Sequence, residues 1–334
     1  MGVKPLYIYE NSNRFYISSE LKAFVSKVGV KNINYNAISN YLTYLWALKD
    51  QTPLAEVRSV MPGEILDINL KGDHYELTSS KLLPKTSIAI SYNNEDQYVN
   101  ELNGLIKNAV QNQLLSDVPV GFFLSGGLDS SLLLAIAKEL YPDRKFNCYT
   151  IDTQELEKNE GFVGDLEYAR KIAKLFDCPL IEIKADKSIL KDFDRIIWHL
   201  DEPQSDPAPL LVNAICKVAK KDGVKVLIGG TGGDDIFSGY RRHQSLYYEQ
   251  KLRFLPSAFF IFALKILSFV SFPKSFKRRA SKFLKNILLS SNERLGDKFK
   301  WINTEEVNKL FLKSKQSLIE ENKIKLIDIL NDLK

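Results

Sequence analysis

The sequence predicts an α/β protein centred on a parallel, doubly wound sheet, with a β-rich segment before it and helices after it. Three observations carry that expectation. Between residues 96 and 240, strand-like runs alternate with helical stretches of ~10–14 residues, the pattern of βαβ units with helices on both faces of one sheet. Residues 1–83 instead alternate apolar and polar side chains at period two. Beyond Tyr240 the pattern is helical.

In the first segment, Leu6-Tyr7-Ile8-Tyr9, Arg14-Phe15-Tyr16-Ile17 and Glu64-Ile65-Leu66-Asp67-Ile68 read as strands. Pro62-Gly63 and Lys71-Gly72-Asp73 punctuate them as turns, and one helical stretch lies near 36–48. Residues 84–95 read as a linker, so the expected domains are 1–83 and 96–334. Asp96–Leu115 sets Val99, Leu102, Ile106 and Val110 at helical spacing. Strand Val118–Leu124, helix Asp129–Leu140, strand Lys145–Ile151 and helix Asp165–Phe176 follow. Strand Leu180–Ile183, helices 187–199 and 209–221, and strand Val224–Ile228 complete the alternation.

A composition of 45% hydrophobic and 26% charged residues over 334 positions excludes collagen-like and wholly disordered chains. The three cysteines (Cys148, Cys178, Cys216) are too scattered for a disulfide framework, and their apolar surroundings predict buried, reduced thiols. The three histidines show no ligand spacing. Met1–Pro5 has no apolar run, so no signal peptide and a cytoplasmic location are expected. The charge is uneven: 251–334 carries 18 Lys/Arg against 8 Asp/Glu, and 251–290 has nine basic residues and no acidic one. The apolar run Phe259–Leu267 is bounded by Pro256 and Pro273 and interrupted by Lys265, which excludes a ~20-residue span. Its spacing (Phe259, Phe262, Ile266, Phe269) predicts a helix that belongs to the core and is left partly exposed. The charges follow the apolar part instead of lining its far face, which weighs against an interfacial helix.

The chemistry concentrates in Val118-Pro119-Val120-Gly121-Phe122-Phe123-Leu124-Ser125-Gly126-Gly127-Leu128-Asp129-Ser130-Ser131. A buried strand runs through Ser125, Gly126 and Gly127 into a helix start. The glycines let the backbone approach an anion, and the first helical turn offers unpaired N–H groups at the positive end of its dipole. Ser125, Ser130 and Ser131 add hydroxyls, a set that suits a pyrophosphate. Asp129 would repel that anion unless a divalent cation joins it; the bland alternative makes Asp129 a helix cap. No Lys follows the glycines, so this is not a GxxxxGK[ST] loop. A second loop, Gly229-Gly230-Thr231-Gly232-Gly233-Asp234-Asp235, follows strand Val224–Ile228. Loops at the carboxyl ends of parallel strands share one crevice, so Asp234 is expected to meet Asp129 there, with Mg²⁺ between them.

Ser125-Gly126-Gly127-Leu128-Asp129-Ser130 resembles the pyrophosphatase loop of ATP-dependent adenylating amidotransferases. Val118-Pro119-Val120-Gly121, Tyr149-Thr150-Ile151, Asp201-Glu202-Pro203 and Gly229 to Arg242 narrow the resemblance to the asparagine synthetase (glutamine-hydrolysing) family. Ser19-Glu20-Leu21-Lys22-Ala23-Phe24 is similar to the distal half of that family's glutaminase domain. The resemblance implies an adenine-nucleotide α-hydrolase-type sheet behind a partial N-terminal-nucleophile glutaminase-like domain. It implies ATP and Mg²⁺ as cofactors, with Asp129 and Asp234 as metal-side carboxylates. Leu124 and Ile151 would border the adenine, and Gly229 and Gly230 would contact ATP. The reaction implied is adenylation of a carboxylate, aspartate in the family, followed by amidation with ammonia. A homodimer, or a partner supplying the other part of the glutaminase domain, fits this picture; nucleic acid does not.

Three departures from the family pattern stand out. Family members carry a nucleophilic cysteine at residue 2, where this chain has Gly2 and no cysteine before Cys148. Thr231 stands where an acidic residue is common, and a Lys-Val-Asp-Arg-type segment has no counterpart in 243–334. The expectation is therefore a fragment, truncated at its C-terminal side, with its activity open. Ligation of another carboxylate, an RNA-modifying adenylase using the basic 251–290 stretch, and a membrane-associated scaffold are the rival readings. Pyrophosphate release with ATP separates enzyme from scaffold, and the glutaminase-like residues 1–83 speak against the RNA reading. The lost thiol gives a direct test: the purified chain is expected to release no glutamate from glutamine, and measurable release in a coupled assay would contradict it.

Overall fold

The computed structural model describes residues 2–11, 14–72, 74–82, 94–152, 165–204, 206, 208–316, 326 and 329. The chain opens with β1 (Tyr7–Glu10) and β2 (Phe15–Ser18), a short π-helical turn (Phe24–Val28), α1 (Tyr35–Tyr44) and β3 (Val57–Ser59). β1 lies between β2 and β3, antiparallel to both. The hairpin β4 (Glu64–Lys71) and β5 (His74–Lys81) forms its own two-stranded sheet. β1, β2 and β4 follow the period-two bursts of the sequence, while β3 and β5 are strands that the bursts do not mark. Helix α1 starts where the Asn34 side chain accepts the Ala37 N–H at 3.1 Å.

The alternating region supplies α2 (Glu95–Gln113), β6 (Val120–Phe123), α3 (Leu128–Leu140), β7 (Cys148–Asp152), α4 (Asp165–Leu175) and β8 (Leu180–Lys184). A 3₁₀ turn (Lys187–Asp192), α5 (Phe193–Leu200), α6 (Ala208–Lys221), β9 (Val226–Ile228) and α7 (Gly233–Ile236) follow. The four strands form one parallel sheet in the order β8-β7-β6-β9. Its two faces bury separate clusters. One gathers Val110, Phe122, Leu134, Phe146 and Ala169; the other gathers Tyr149, Ile215, Ala219 and Val224. The sheet is thus doubly wound, as the alternation requires.

Several strands are shorter than their apolar runs, for local reasons. Pro119 has no N–H to give a ladder, so β6 starts one residue later. Val224 is drawn into the end of α6 instead of β9: its N–H reaches the Ala219 carbonyl at 2.9 Å behind Gly223. The expected helix 187–199 divides because the Asp186 side chain accepts the Ser188 N–H at 2.7 Å and starts a 3₁₀ turn. Most of the expected linker at 84–95 lies outside the described residues.

The remaining helices are α8 (Arg241–Leu252), α9 (Ser257–Phe269), α10 (Lys274–Ile287), α11 (Ser291–Lys298) and α12 (Thr304–Lys309). No helix among the described residues is long and apolar enough to cross a membrane. By contacts the chain forms two compact units: residues 1–85, 200–206 and 240–334 make one, and 86–199 with 207–239 make the other. The sequence places one boundary at 84–95. The contact division instead groups the late helices with the first segment, because α12 packs on α1 and the Trp301 N–H donates to the Thr43 carbonyl at 2.9 Å.

One cysteine corrects the sequence reading. Cys148 and Cys178 are buried, and burial together with the neighbouring Cys178 pushes the Cys148 thiol up to about 12. Cys216 is exposed. It sits on the outer side of α6, whose inner side carries Ile215 and Ala219.

The first unit is held by partly buried polar contacts as well as by apolar ones. Asp201, at a φ of 61°, accepts the Leu21 N–H at 2.7 Å and pairs with the Lys22 ammonium at 2.6 Å. Burial works against the Lys22 charge, but its bonds to Asp201 and Glu20 outweigh it and raise its pKa. Next to it, the Tyr7 hydroxyl donates to Glu202 Oε1 at 3.0 Å and the Tyr41 hydroxyl donates to Glu202 Oε2. Burial, then the Glu202 carboxylate, pushes both phenols above their ordinary range, so both remain donors. Removing one donor strands part of a carboxylate beside a side chain that is 2% exposed. Tyr41→Phe is therefore expected to lower stability by about 1–3 kcal/mol, read from urea unfolding, and an unchanged midpoint would contradict this role.

Candidate active site

Both glycine-rich loops leave the carboxyl end of the parallel sheet. β6 pairs with β9 in register Val120↔Val226 and Phe122↔Ile228, so Leu124–Gly127 and Gly229–Gly233 emerge as neighbours. Leu124 is fully buried at the end of β6, and its N–H donates to the Tyr149 carbonyl at 2.9 Å. Ile151 lies on β7, packed against the second core cluster.

The first loop turns on Gly126. Its φ is +87°, and an added Cβ would stand 2.2 Å from the Asp165 carbonyl oxygen and 2.8 Å from the Ala169 nitrogen. Only glycine meets both conditions. Gly127 then starts α3 with no side-chain cap. The hydroxyls are organised around it: Ser125 Oγ and Ser130 Oγ lie 3.0 Å apart, Ser130 Oγ donates to the Gly127 carbonyl at 3.2 Å, and the Gly127 N–H reaches Ser125 Oγ at 3.3 Å. Ser130 is buried and Ser125 exposed.

Asp129 is not the cap of its helix. Its carboxylate lies over the second loop, so close that a Cβ on Gly233 would fall 2.2 Å from Asp129 Oδ2. Gly230 is as near: a Cβ there would stand 2.7 Å from Asp129 Cβ and 2.8 Å from the Ser130 nitrogen. Gly229 rests on the Phe123 ring. Asp234 follows Gly233 directly, but its carboxylate turns to Gly239, where a Cβ would come within 1.9 Å of Oδ1. The structure therefore brings Ser125, Gly126, Gly127, Asp129, Ser130, Gly229 and Gly230 to one place.

Sequence reasoning missed Gly233 and Gly239 as site-shaping positions. The repeated glycines are visible in the sequence, but which carboxylate occupies the space above each is not. In the Asp201-Glu202-Pro203 motif, Asp201 and Glu202 bond within the first unit. The residues fit a magnesium nucleotide on two counts. The first turn of α3 has no side-chain cap to take its N–H groups, and Asp129, on that same turn, supplies a carboxylate for a bridging cation. Among the described residues no group of three or more His, Cys, Asp or Glu is arranged to hold a metal. A cation here would thus keep several waters.

Two family models match. The one described as Asparagine synthase covers residues 101–318, and the one described as Glutamine amidotransferase domain covers residues 1–78. Asparagine synthetase [glutamine-hydrolyzing] 1 of Bacillus subtilis is 30% identical over 240 residues, 72% of this chain and 36% of that protein. A putative asparagine synthetase [glutamine-hydrolyzing] 2 of Methanocaldococcus jannaschii is 29% identical over 269 residues, 77% of this chain and 48% of that one. The chain thus spans less than half the length of these relatives. Among solved structures, the NH3-dependent NAD synthetase of Campylobacter jejuni aligns at 15% identity with a TM-score of 0.29, over 71% of this chain and 92% of that one.

The loop geometry separates two substitutions that look alike on paper. Gly126→Ala meets fixed backbone at a positive φ and is expected to cost about 2 kcal/mol or more. Gly233→Ala meets only the movable end of Asp129 and is expected to stay within about 1 kcal/mol while displacing that carboxylate. Urea melts of the two variants check the contrast, which equal midpoints would refute.

Proposed function

This chain belongs to the asparagine synthase family, and from that premise we propose that its second unit activates a carboxylate with MgATP. The observation that carries the proposal is the meeting of two glycine-rich loops from adjacent parallel strands, with the Asp129 carboxylate seated between them. In this reading the pyrophosphate of ATP lies on the Ser125–Ser130 loop, held by backbone N–H groups and the N-terminal end of α3. The adenine borders Leu124 and Ile151, and Gly229 and Gly230 allow the phosphates to approach the second loop.

Asp129 would hold the Mg²⁺, joined by Asp234 once its carboxylate turns from Gly239; when bound, the ion neutralises charge building on the departing pyrophosphate. Gly233 fixes where the Asp129 carboxylate rests, and Gly239 does the same for Asp234. The substrate carboxylate attacks the α-phosphate, releasing pyrophosphate and leaving an acyl-adenylate. Ammonia then displaces AMP to form the amide. Preorganised N–H donors stabilise charge that develops only as the phosphoanhydride breaks, and bound geometry aligns the attacking oxygen. Aspartate is the acid that the family relation supports. Thr231 has no titratable group to serve as base at neutral pH, so the amine proton must leave through another group or through water.

Asp129→Ala is expected to abolish Mg²⁺-dependent ATP binding in calorimetry. It should also lower carboxylate-dependent pyrophosphate release by at least about 100-fold. Unchanged ATP affinity in that variant would remove Asp129 from the site.

A further inference from the structure

The late helices carry a surface for which the nucleotide chemistry has no use. Helix α9 is apolar on nearly every side. Phe260 and Leu267, at 2% and 7% exposure, mark its inner face. Phe259, Phe262, Ile266 and Phe269 recur at helical spacing on the opposite stripe and are 46–81% exposed. A helix apolar all round belongs either inside a core or in contact with lipid.

The fold also moves the charges. In the sequence the basic run follows the apolar stretch, but α10 packs back against α9 and brings it alongside. Phe272 and Phe276 close the turn with ring centroids 5.2 Å apart, and Lys277 Nζ donates to the Ser268 carbonyl at 2.9 Å. α10 turns Ile287 inward and leaves Lys274, Arg278, Arg279 and Lys282 exposed. Between residues 251 and 290 every charge is positive.

Two features therefore share one hairpin: exposed aromatic rings and exposed cations with no acidic residue among them, although Lys282 pairs with Asp297 of α11 at 3.6 Å and leaves Lys274, Arg278 and Arg279 as the outward charges. A second copy of the chain would set positive charge against positive charge. A nucleic-acid backbone would satisfy the charges and leave the rings in water. An anionic bilayer offers phosphate and hydrocarbon in adjacent layers, which matches both. We propose that the α9–α10 hairpin is a peripheral docking surface for anionic phospholipid membranes. The Phe262 and Phe269 rings enter the acyl boundary while Lys274 and Arg278 meet the headgroups. This proposal is independent of the nucleotide site.

Vesicle flotation of the 334-residue chain tests it. Vesicles of equimolar phosphatidylglycerol and phosphatidylcholine are expected to bind at least about ten-fold more tightly than phosphatidylcholine alone. Raising the salt to about 0.5 M should weaken binding several-fold. The double variant Phe262→Asp, Phe269→Asp removes only exposed rings, so its thermal melt should match the parent while anionic binding falls about ten-fold or more. Phe262→Trp should keep the affinity, because Trp suits the interface. Failure to float with anionic vesicles would overturn the proposal. So would binding indifferent to the double Asp variant, self-association in light scattering that the variant dissolves, or preferential capture of a single-stranded RNA oligomer.

Discussion

The pairing of β6 with β9 is the constraint on which the crevice depends. These strands are distant in sequence, yet they lie side by side and parallel, with Phe122 opposite Ile228. Parallel pairing sends both carboxyl ends the same way, so two separate loops must share the space above the sheet. Strands only ~4.8 Å apart leave no room for side chains between such loops. Gly230 and Gly233 meet that demand, and the space they vacate is filled by Asp129. A carboxylate thus stands on the first turn of a helix that has no side-chain cap. It would repel an anion bound there alone, and a cation between the two removes that repulsion.

The first unit solves a different problem by similar means. Asp201 and Glu202 bring two adjacent carboxylates into a poorly hydrated place, where each oxygen needs a donor. Those donors come from β1, α1 and the segment at Leu21-Lys22, far away in the chain. Such a set is costly to leave half-formed, since one missing hydroxyl strands a charge. Farther along, the fully buried Glu249 carboxylate takes both Lys298 and Ser245 on one oxygen, Oε1. Buried charges paired over long sequence distances make these contacts specific to one arrangement of the chain.

The hairpin of α9 and α10 shows how folding changes the meaning of a pattern. Read linearly, an apolar run followed by cations lacks the two-sided character of an interfacial helix. Packed as neighbours, α9 and α10 bring the exposed rings and the exposed cations into one hairpin.

The sequence by itself determined the element types and their order. Period two in residues 1–83 and the strand–helix alternation after 96 reflect local geometry, which each segment expresses without its partners. It also determined the turn of the Ser125–Ser130 loop, because a positive φ favours glycine at Gly126 from the local backbone alone, while the close approach of Asp165 and Ala169 came from the tertiary structure. The outward turn of Cys216, the capture of Val224 by α6, the roles of Gly233 and Gly239, and the destination of Asp201-Glu202 were decided by tertiary structure. Each depends on an atom from a remote part of the chain, and no spacing along the sequence encodes which atom arrives. Whether Asp129 caps its own helix or reaches across to another loop is such a case. The residue offers both, and only the adjacency of β6 and β9 selects between them.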